Sequence, residues 1–332
     1  MVQESFRALV VEQHADGVQA VFRELPVSAL PQGDVLVSVA YSSLNYKDAL
    51  AITNQGKIIR SFPGVPGIDL AGTVVEAQSE RFKAGDKVLL TGWGVGERHW
   101  GGYAQLARVK SEWLVPLPTG LSLQDAMGIG TAGFTAMLCV NALEEHGLRP
   151  GGREVLVTGA AGGVGSIAVA LLATLGYNVV AGTGRSELHE YLKELGASDF
   201  LDRAALATPS KRPLDSERWA GAIDTVGGET LASVLRAMAY GTSVATCGNA
   251  GSMALPTTVL PFILRGINLL GIDSASCPTE RRLAAWKRIA QILPHEKLEK
   301  IVRVEPFQKL ITLSDEILEG HVRGRIVIDM RS

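Results

Sequence analysis

The pattern of hydrophobic and polar positions changes once along the chain. Up to about residue 120, short β-branched runs such as residues 35–39 alternate with turn signals such as residues 31–34. Further β-type runs occur at residues 73–77, 87–91 and 103–109. This first part therefore predicts a β-rich domain that is mostly antiparallel or barrel-like.

From residue 154 to about residue 271, apolar strands alternate with helices. Residues 155–158 and 179–182 are strand candidates, and a glycine turn and a helix lie between them. This alternation is typical of a parallel, doubly wound sheet. No charge occurs in residues 155–184, but the glycines and turns of this stretch favour a buried βαβ unit over a membrane span.

The end of the chain returns to the earlier pattern. A helix at residues 280–293 precedes an apolar strand at residues 325–329, which we interpret as part of the first domain. We therefore predict an α/β protein with a discontinuous β-rich domain, residues 1–125 and 267–332, and an inserted doubly wound domain, residues 126–266.

Composition and charge narrow the class of protein. The chain has 332 residues, of which 46% are hydrophobic and 20% charged, so it is globular and long enough for two cores. Its net charge of −2 provides no general attraction for nucleic acid or an anionic membrane. The cysteines Cys139, Cys247 and Cys277 form no disulfide framework, and the first residues lack a signal-peptide pattern. We predict a cytoplasmic protein with no nucleic-acid or membrane partner.

A glycine-rich turn follows the strand at residues 155–158. Gly159, Gly162 and Gly165 keep a GxxGxxG spacing, although Ala160 stands where the usual dinucleotide fingerprint has glycine. Such a turn lets N–H groups at the start of a helix approach a pyrophosphate, and the helix dipole favours the negative charge. The turn therefore predicts a dinucleotide site, with Val164 among its contacts.

The next strand indicates which dinucleotide is bound. NAD-binding units place an acidic residue about 20 residues beyond the glycines to bind the ribose hydroxyls. No acidic residue occurs here before Glu187, and the strand ends instead with Thr183, Gly184 and Arg185. A guanidinium can grip phosphate oxygens through two N–H groups, so the sequence predicts NADPH.

Five longer motifs identify a family. They read SSLNYKDAL at residues 42–50, PGIDLAG at 66–72, LTGWGVGE at 90–97, GTAGFTAM at 130–137 and PFILR at 261–265. Over nearly its whole length the chain resembles the NADPH-dependent acrylyl-CoA reductase family of the medium-chain dehydrogenase/reductase superfamily. The resemblance implies a GroES-like catalytic domain around an inserted Rossmann domain, an active site in the cleft between them, and a homodimer.

The resemblance also implies a set of cofactor contacts. Carried over by motif, these are Tyr46, Ala161, Gly162, Gly163, Val164, Thr183, Gly184, Arg185, Arg203, Asn249, Ile263, Ser274 and Arg323. Arg203 and Arg323 lie in less distinctive local sequence, and a surface role for each stays open.

The sequence predicts that no metal is bound. Zinc members of the superfamily use a cysteine before the first active-site helix and a histidine in a Gly-His-Glu segment. Asn45 and Ile68 stand at those positions, and no set of histidines and cysteines has zinc-like spacing.

Without a metal, the easier hydride chemistry is conjugate reduction. The resemblance implies that acryloyl-CoA accepts a hydride at Cβ and a proton at Cα, giving propanoyl-CoA. Tyr46 is the candidate proton donor or oxyanion donor, although it could instead only stack on the cofactor. Asn45, Asp48 and Asp69 are candidates for organising the site, and packing or helix-capping roles stay open for all three. The CoA phosphates require basic residues, and the candidates are Lys57, Arg60, Arg265, Arg281, Arg282, Lys287 and Arg288.

Two alternatives remain open from the sequence. The same fold and hydride donor would serve an NADPH-dependent quinone or enone reductase that has no CoA site. A nonenzymatic NADPH-binding protein on the same scaffold belongs to a different class. Turnover of acryloyl-CoA compared with a quinone separates these alternatives.

Overall fold

The computed structural model describes residues 4–15, 17–210 and 212–332. Its strands, in chain order, are β1 Ser5–His14, β2 Gly17–Pro26, β3 Val35–Leu44, β4 Asp69–Ala77, β5 Lys87–Thr91, β6 Leu106–Val109, β7 Val115–Pro116, β8 Val155–Thr158, β9 Val179–Thr183, β10 Asp199–Asp202, β11 Trp219–Asp224, β12 Met238–Thr246, β13 Asn268–Gly271, β14 Val302–Pro306 and β15 Arg325–Asp329.

The helices follow the same numbering. They are α1 Tyr46–Ile52, α2 Leu123–Glu145, α3 Gly163–Thr174, α4 His189–Leu195, α5 Arg203–Leu206, α6 Gly228–Arg236, α7 Leu260–Arg265, α8 Thr279–Ile292, α9 His295–Ile301 and α10 Leu310–Leu318. The chain divides into two compact units, and both are discontinuous in sequence.

The first unit contains the chain up to Thr131 together with Ala275–Trp286 and Val302–Ser332. Its larger sheet has seven strands in the order β14-β15-β3-β4-β5-β7, and β6 pairs with β3. All neighbours are antiparallel except β14 and β15. The core is apolar and includes Phe6, Tyr103 and Phe307, which are fully buried. The predicted return of residues 325–329 to the β-rich domain is confirmed, because β15 pairs with β3.

The second unit contains Ala132–Ser274 and Lys287–Ile301. Its six strands are in the order β10-β9-β8-β11-β12-β13, and every pair is parallel. The order reverses at β8, which is the strand that leads into the glycine turn. Open parallel sheets bind ligands at the carboxyl ends of their strands at such a reversal. The predicted doubly wound sheet is therefore confirmed.

Residues 155–184 form β8, α3 and β9, so the predicted βαβ unit is confirmed. The apolar α2 is also long enough, by length and composition, to cross a membrane. However, 89% of its most apolar window is buried inside the protein, as expected for a core helix. Helix α2 bends at Gly130, which has φ 50° and ψ −160°.

Candidate functional site

The start of α1 is fixed by a capping box. Asn45 is the N-cap residue: its side chain accepts a hydrogen bond from the third residue of the helix, and its own N–H donates to Asp48 Oδ2 at 3.0 Å. Asp48 Oδ1 accepts a second backbone bond from the Ile68 N–H at 2.9 Å. The buried Asp48 therefore ties the first turn of α1 to the loop that precedes β4.

Asp69, the first residue of β4, is the centre of a buried polar cluster. Its Oδ2 accepts bonds from Ser43 Oγ at 2.5 Å, Asn45 Nδ2 at 3.0 Å and the Thr131 N–H at 2.9 Å. Its Oδ1 accepts from Thr131 Oγ1 at 2.5 Å. Asp69 is 0% exposed, so these donors take the place of water around its carboxylate. The carboxylate also holds the beginning of the second half of α2.

Arg325, from β15, completes this cluster. It lies 3.8 Å from Asp69 Oδ2 and donates to Asn45 Oδ1 at 3.0 Å and to Ser43 Oγ at 2.8 Å. A Cβ atom on Gly130 would lie 2.6 Å from both Arg325 Nη2 and Asp69 Oδ2. The bend of α2 thus requires glycine, both for its left-handed φ and for the space that the cluster occupies.

Burial shifts the pKa values of three groups in or beside this cluster. Burial, and then the charge of Asp69, raise the pKa of Asp48 to about 7. Burial also raises the pKa of Tyr103, whose hydroxyl donates to the Ser43 carbonyl at 3.0 Å. Burial lowers the pKa of Arg325, while the charges of Asp69 and Asp48 oppose that shift.

Tyr46 differs from its neighbours because its side chain is 47% exposed. It is the first residue of α1, directly after the capping residue Asn45. Of the three predicted catalytic residues, the structure therefore brings Asn45 and Asp69 together inside the protein and leaves Tyr46 at the surface of its unit. A substrate or cofactor can reach the phenol, whereas the two buried residues fix the turn that carries it.

In the second unit, α3 begins at the glycine turn. Gly162 is its N-cap residue and has no side chain to bond the first N–H groups, and Gly162, Gly163 and Val164 are partly exposed. A Cβ on Gly165 would lie 2.3 Å from the Gly159 carbonyl oxygen, so residue 165 must be glycine for the helix to pack on the turn. The predicted phosphate contacts are therefore backbone groups at an open helix start, and they fit a pyrophosphate.

Asp224 stabilises this turn through hydrogen bonds. It is not among the site residues predicted from the sequence. At the end of β11, its carboxylate accepts from Thr158 Oγ1 at 2.7 Å and from the Gly227 N–H at 2.9 Å. Thr225 Oγ1 donates to the Thr158 carbonyl at 3.0 Å. The signal in the sequence was an acidic residue at the end of an apolar strand.

Arg185 and Arg203 lie together beyond the carboxyl end of β9. The Arg185 N–H donates to Thr183 Oγ1 at 3.2 Å, and Arg203 Nε lies 3.1 Å from the position of a Cβ on Gly184. Burial lowers the pKa of Arg185, the charges of Glu187 and Tyr191 oppose that shift, and the smaller effect of the Arg203 charge acts with burial. The two arginines are the candidates in this unit for binding a phosphate dianion.

The remaining predicted cofactor contacts belong to separate elements of the chain. Asn249 follows β12, and its Cα lies 3.5 Å from the position of a Cβ on Gly227. Ser274 Oγ accepts from Thr135 Oγ1 at 2.8 Å. Ile263 stands on α7 with 68% of its surface exposed, and Arg323 is an exposed residue of the first unit.

Two family models match this chain, one within the first unit described above and one mostly within the second. The model of the alcohol dehydrogenase GroES-like domain matches residues 31–119, and the model of the zinc-binding dehydrogenase family matches residues 163–291. The acrylyl-CoA reductase AcuI of Ruegeria pomeroyi is 55% identical over 329 residues, which cover 98% of this chain and 100% of that protein. The chain belongs to the acrylyl-CoA reductase family of the medium-chain dehydrogenase/reductase superfamily.

Two further relatives of this family member extend the comparison. The solved structure of the yhdH oxidoreductase from Salmonella enterica in complex with NADP has a TM-score of 0.95 and 55% identity, and covers 97% of this chain and 99% of that one. The putative quinone oxidoreductase YhfP of Bacillus subtilis is 45% identical over 98% of this chain and 99% of that protein. The fold is thus a GroES-like domain with an inserted Rossmann domain.

The residues of this family member do not suit a zinc ion, despite the description of the matched dehydrogenase model. Asn45 and Ile68 offer no thiolate or imidazole, and the Asp69 carboxylate is already engaged by four donors and Arg325. Across residues 4–15, 17–210 and 212–332, no group of three or more His, Cys, Asp or Glu side chains could hold a metal.

Three of the seven basic residues predicted to meet the CoA phosphates have acceptors within the protein. Arg265 donates to the carbonyls of Arg236 and Met238 at 2.8 and 3.0 Å. Arg282 is buried and donates to the Thr91 carbonyl at 2.7 Å. Arg288 pairs with Glu144 at 2.6 Å. The sequence alone did not show that each of these three guanidinium groups has an internal acceptor, and their predicted contacts with CoA phosphates stay predictions. Lys57, Arg60, Arg281 and Lys287 are exposed.

Proposed function

We propose that this protein reduces acryloyl-CoA to propanoyl-CoA with NADPH. The observation that carries this proposal is the full-length similarity to a named acrylyl-CoA reductase, in a chain whose second unit has an open glycine turn beside two arginines. The NADP in the related Salmonella enterica structure supports the choice of cofactor.

The chain's own groups fit NADPH in two places. Backbone N–H groups of residues 161–164 meet the pyrophosphate at the start of α3. Arg185 and Arg203 bind the 2′-phosphate, and Thr183 orders the Arg185 backbone. The remaining contacts proposed are Tyr46, Gly184, Asn249, Ile263, Ser274 and Arg323. When bound, NADPH supplies the hydride.

Tyr46 is the residue that we propose to move or hold the proton. Its exposed phenol can donate to Cα of the substrate, or to the thioester oxygen as negative charge develops there. Asn45 and Asp69 act indirectly, because both are enclosed in the polar cluster that sets the position of the α1 start. The conjugated thioester itself delocalises the incoming charge, so we propose a zinc-independent reaction.

We further propose a cytoplasmic homodimer. The strand β13 lies at an edge of the six-stranded sheet, and Val259 and Leu264 nearby in sequence are exposed apolar residues. An edge strand beside exposed apolar side chains suits pairing with a second copy. Cys139, Cys247 and Cys277 are free thiols, in keeping with a reducing compartment.

Steady-state kinetics with NADPH test the activity. We expect kcat/KM to be higher for acryloyl-CoA than for crotonoyl-CoA by about 10- to 200-fold, the range that one methylene gives in a closed pocket. A protein that reduces a simple quinone and leaves acryloyl-CoA unchanged would instead be a quinone reductase, as the name of the Bacillus subtilis relative suggests.

The variant Tyr46→Phe tests the proton role within the same assay. Loss of a general acid lowers kcat by about 10²- to 10⁴-fold, whereas a tyrosine that only stacks is replaced by phenylalanine with little change. The KM for NADPH should stay near the wild-type value if the hydroxyl acts on the substrate.

A further inference from the structure

Three basic residues of the first unit lie on segments that meet beside the start of α1, and a fourth, Lys57, precedes one of them, Arg60, by three residues in the sequence. We call Lys47, Lys57, Arg60 and Arg98 the basic patch. Lys47 Nζ bonds Glu97 Oε1 at 2.8 Å, and the Arg60 N–H donates to the Glu97 carbonyl at 3.0 Å. Residue 97 therefore brings the segments that carry Lys47, Arg60 and Arg98 together.

The patch carries an excess of positive charge. Glu97 is already paired with Lys47. Over the described ranges 4–15, 17–210 and 212–332, no carboxylate lies within 4.0 Å of the side-chain nitrogens of Lys57, Arg60 or Arg98. All three side chains are exposed. Elsewhere in the same unit, two exposed arginines do have carboxylate partners: Arg23 pairs with Glu12 and Arg303 with Glu316.

The patch also lies at the same end of the large sheet as Tyr46. Strand β3 ends at Leu44, just before α1, and β4 begins at Asp69 opposite Thr91, the last residue of β5. The loop that follows β5 contains Arg98. Lys47 directly follows Tyr46 in α1. An extended molecule whose reactive end meets Tyr46 therefore has cations beside it on the same unit.

We propose that the basic patch binds the nucleotide phosphates of the CoA thioester. This inference rests on the proposed function, because it names the subsite for the CoA portion of that substrate. CoA carries a pyrophosphate and a 3′-phosphate at the far end of its pantetheine arm, and guanidinium groups bind such phosphates through two parallel N–H donors. The unpaired charges of Arg60 and Arg98 supply these donors.

The experiment compares two substrates in one double variant. Arg60→Ala with Arg98→Ala is assayed with acryloyl-CoA and with acryloyl-pantetheine, which lacks the nucleotide. We expect KM for acryloyl-CoA to rise about 10- to 100-fold with kcat retained, and the kinetics of acryloyl-pantetheine to stay unchanged. KM for acryloyl-CoA in the wild type should also rise with salt, and the variant should lose most of that dependence.

The matched control removes the same charge at the opposite end of the sheet. Lys83 lies in the turn between β4 and β5, and Arg331 follows β15; both are exposed. The pair Lys83→Ala with Arg331→Ala should leave KM for both substrates at the wild-type value. An equal rise in the control would show that net charge, and not the patch, sets the affinity.

Three results would overturn the proposal. They are an unchanged KM for acryloyl-CoA, an equal loss with acryloyl-pantetheine, and a rise in the KM for NADPH, which would assign the patch to the phosphates of the cofactor. Binding of CoA itself by wild-type protein gives an independent test, because CoA must bind more tightly than pantetheine. The difference in affinity between CoA and dephospho-CoA gives the contribution of the 3′-phosphate. If acryloyl-CoA is not turned over at all, the proposed function fails, whereas patch-dependent CoA binding would still support the subsite.

Discussion

The buried polar cluster of the first unit and the glycine turn of the second unit differ in how their polar groups find hydrogen-bond partners. Around Asp69, side chains from distant parts of the chain satisfy one another, and Asn45 and Arg325 are 280 residues apart. At the glycine turn, consecutive residues present backbone N–H groups that have no side-chain cap. The first arrangement is closed to ligands, and the second is open to an anion.

The difference predicts which property a substitution changes in each region. A carboxylate and a guanidinium that are both buried hold a loop in place, because either one alone would be an unpaired charge in the interior. An open helix start gains its partner only when phosphate binds. Substitutions in the cluster should therefore change stability first, and substitutions at the turn should change cofactor binding first.

The largest expected effect comes from breaking the cluster with Arg325→Met. Removing the guanidinium takes away the positive charge beside the buried Asp69 carboxylate and one donor to the Asn45 side-chain oxygen. We expect a loss of about 3–5 kcal/mol in the free energy of unfolding, measured in urea. Arg303→Met, which breaks an ion pair with Glu316 at 44% and 40% side-chain exposure, should cost less than about 1 kcal/mol. Equal losses in the two variants would contradict the contrast between buried and exposed pairs.

Asp48 should make the stability of the cluster depend on pH. Its pKa is raised from 3.8 to about 7 in the folded protein, so the native state holds a proton that the unfolded chain releases. The stabilisation is fully present below pH 4 and is lost as the pH rises through about 7, by an amount on the order of a few kcal/mol. Asp48→Asn should therefore lose less stability than the wild type between pH 5 and pH 8. Parallel unfolding curves across that range would show that Asp48 does not titrate there.

At the open site, Arg185→Ala and Arg203→Ala should change cofactor affinity and leave folding intact. Each charge-assisted bond to the 2′-phosphate contributes about 1.5–3 kcal/mol, or roughly tenfold to more than a hundredfold in the KM for NADPH. Kinetics with NADH should hardly change, because that cofactor lacks the 2′-phosphate. Lys193→Ala, which removes one exposed charge from α4, serves as the control. An equal loss of kcat/KM with NADPH and NADH would mean that the arginines order the loop instead.

The smallest effects separate two glycines within the turn. A Cβ on Gly165 meets the backbone of Gly159 at 2.3 Å, whereas one on Gly162 meets only that oxygen at 3.3 Å. Gly165→Ala should cost about 1–3 kcal/mol of stability by overpacking. Gly162→Ala should melt near the wild-type temperature and raise the KM for NADPH, because its methyl group approaches the phosphate position. A comparable fall in melting temperature for both variants would show that the turn has no free space beside Gly162.

Local features of both regions could be predicted from the sequence. The glycine turn, the strand before it and the residues from Thr183 to Arg185 lie within one βαβ unit, so their spacing determines their geometry. Strand β15 was also predicted with its observed bounds, because it is a continuous apolar run. The predicted domain boundaries and site contacts stay predictions.

Features that depend on distant contacts could not be predicted. Neither the pairing of Asp69 with Arg325 nor the support of the turn by Asp224 follows from any spacing in the chain. Strands β10 and β14 carry no strong period, and the sequence did not predict the bend at Gly130 because its left-handed φ serves a tertiary cluster. Arg282 shows the same limit. An arginine is expected at the protein surface, whereas this one lies inside and donates to the Thr91 carbonyl.

The hydrogen bonds and the ion pair of the Asp69 carboxylate also constrain which substitutions could create a metal site here. A lineage that acquired cysteine in place of Asn45 would remove the helix cap and one acceptor of Arg325 before any metal could bind. Histidine in place of Ile68 would still face a carboxylate bound to a guanidinium. A zinc site at this position would therefore require Asn45, Ile68 and the Asp69–Arg325 pair to change together.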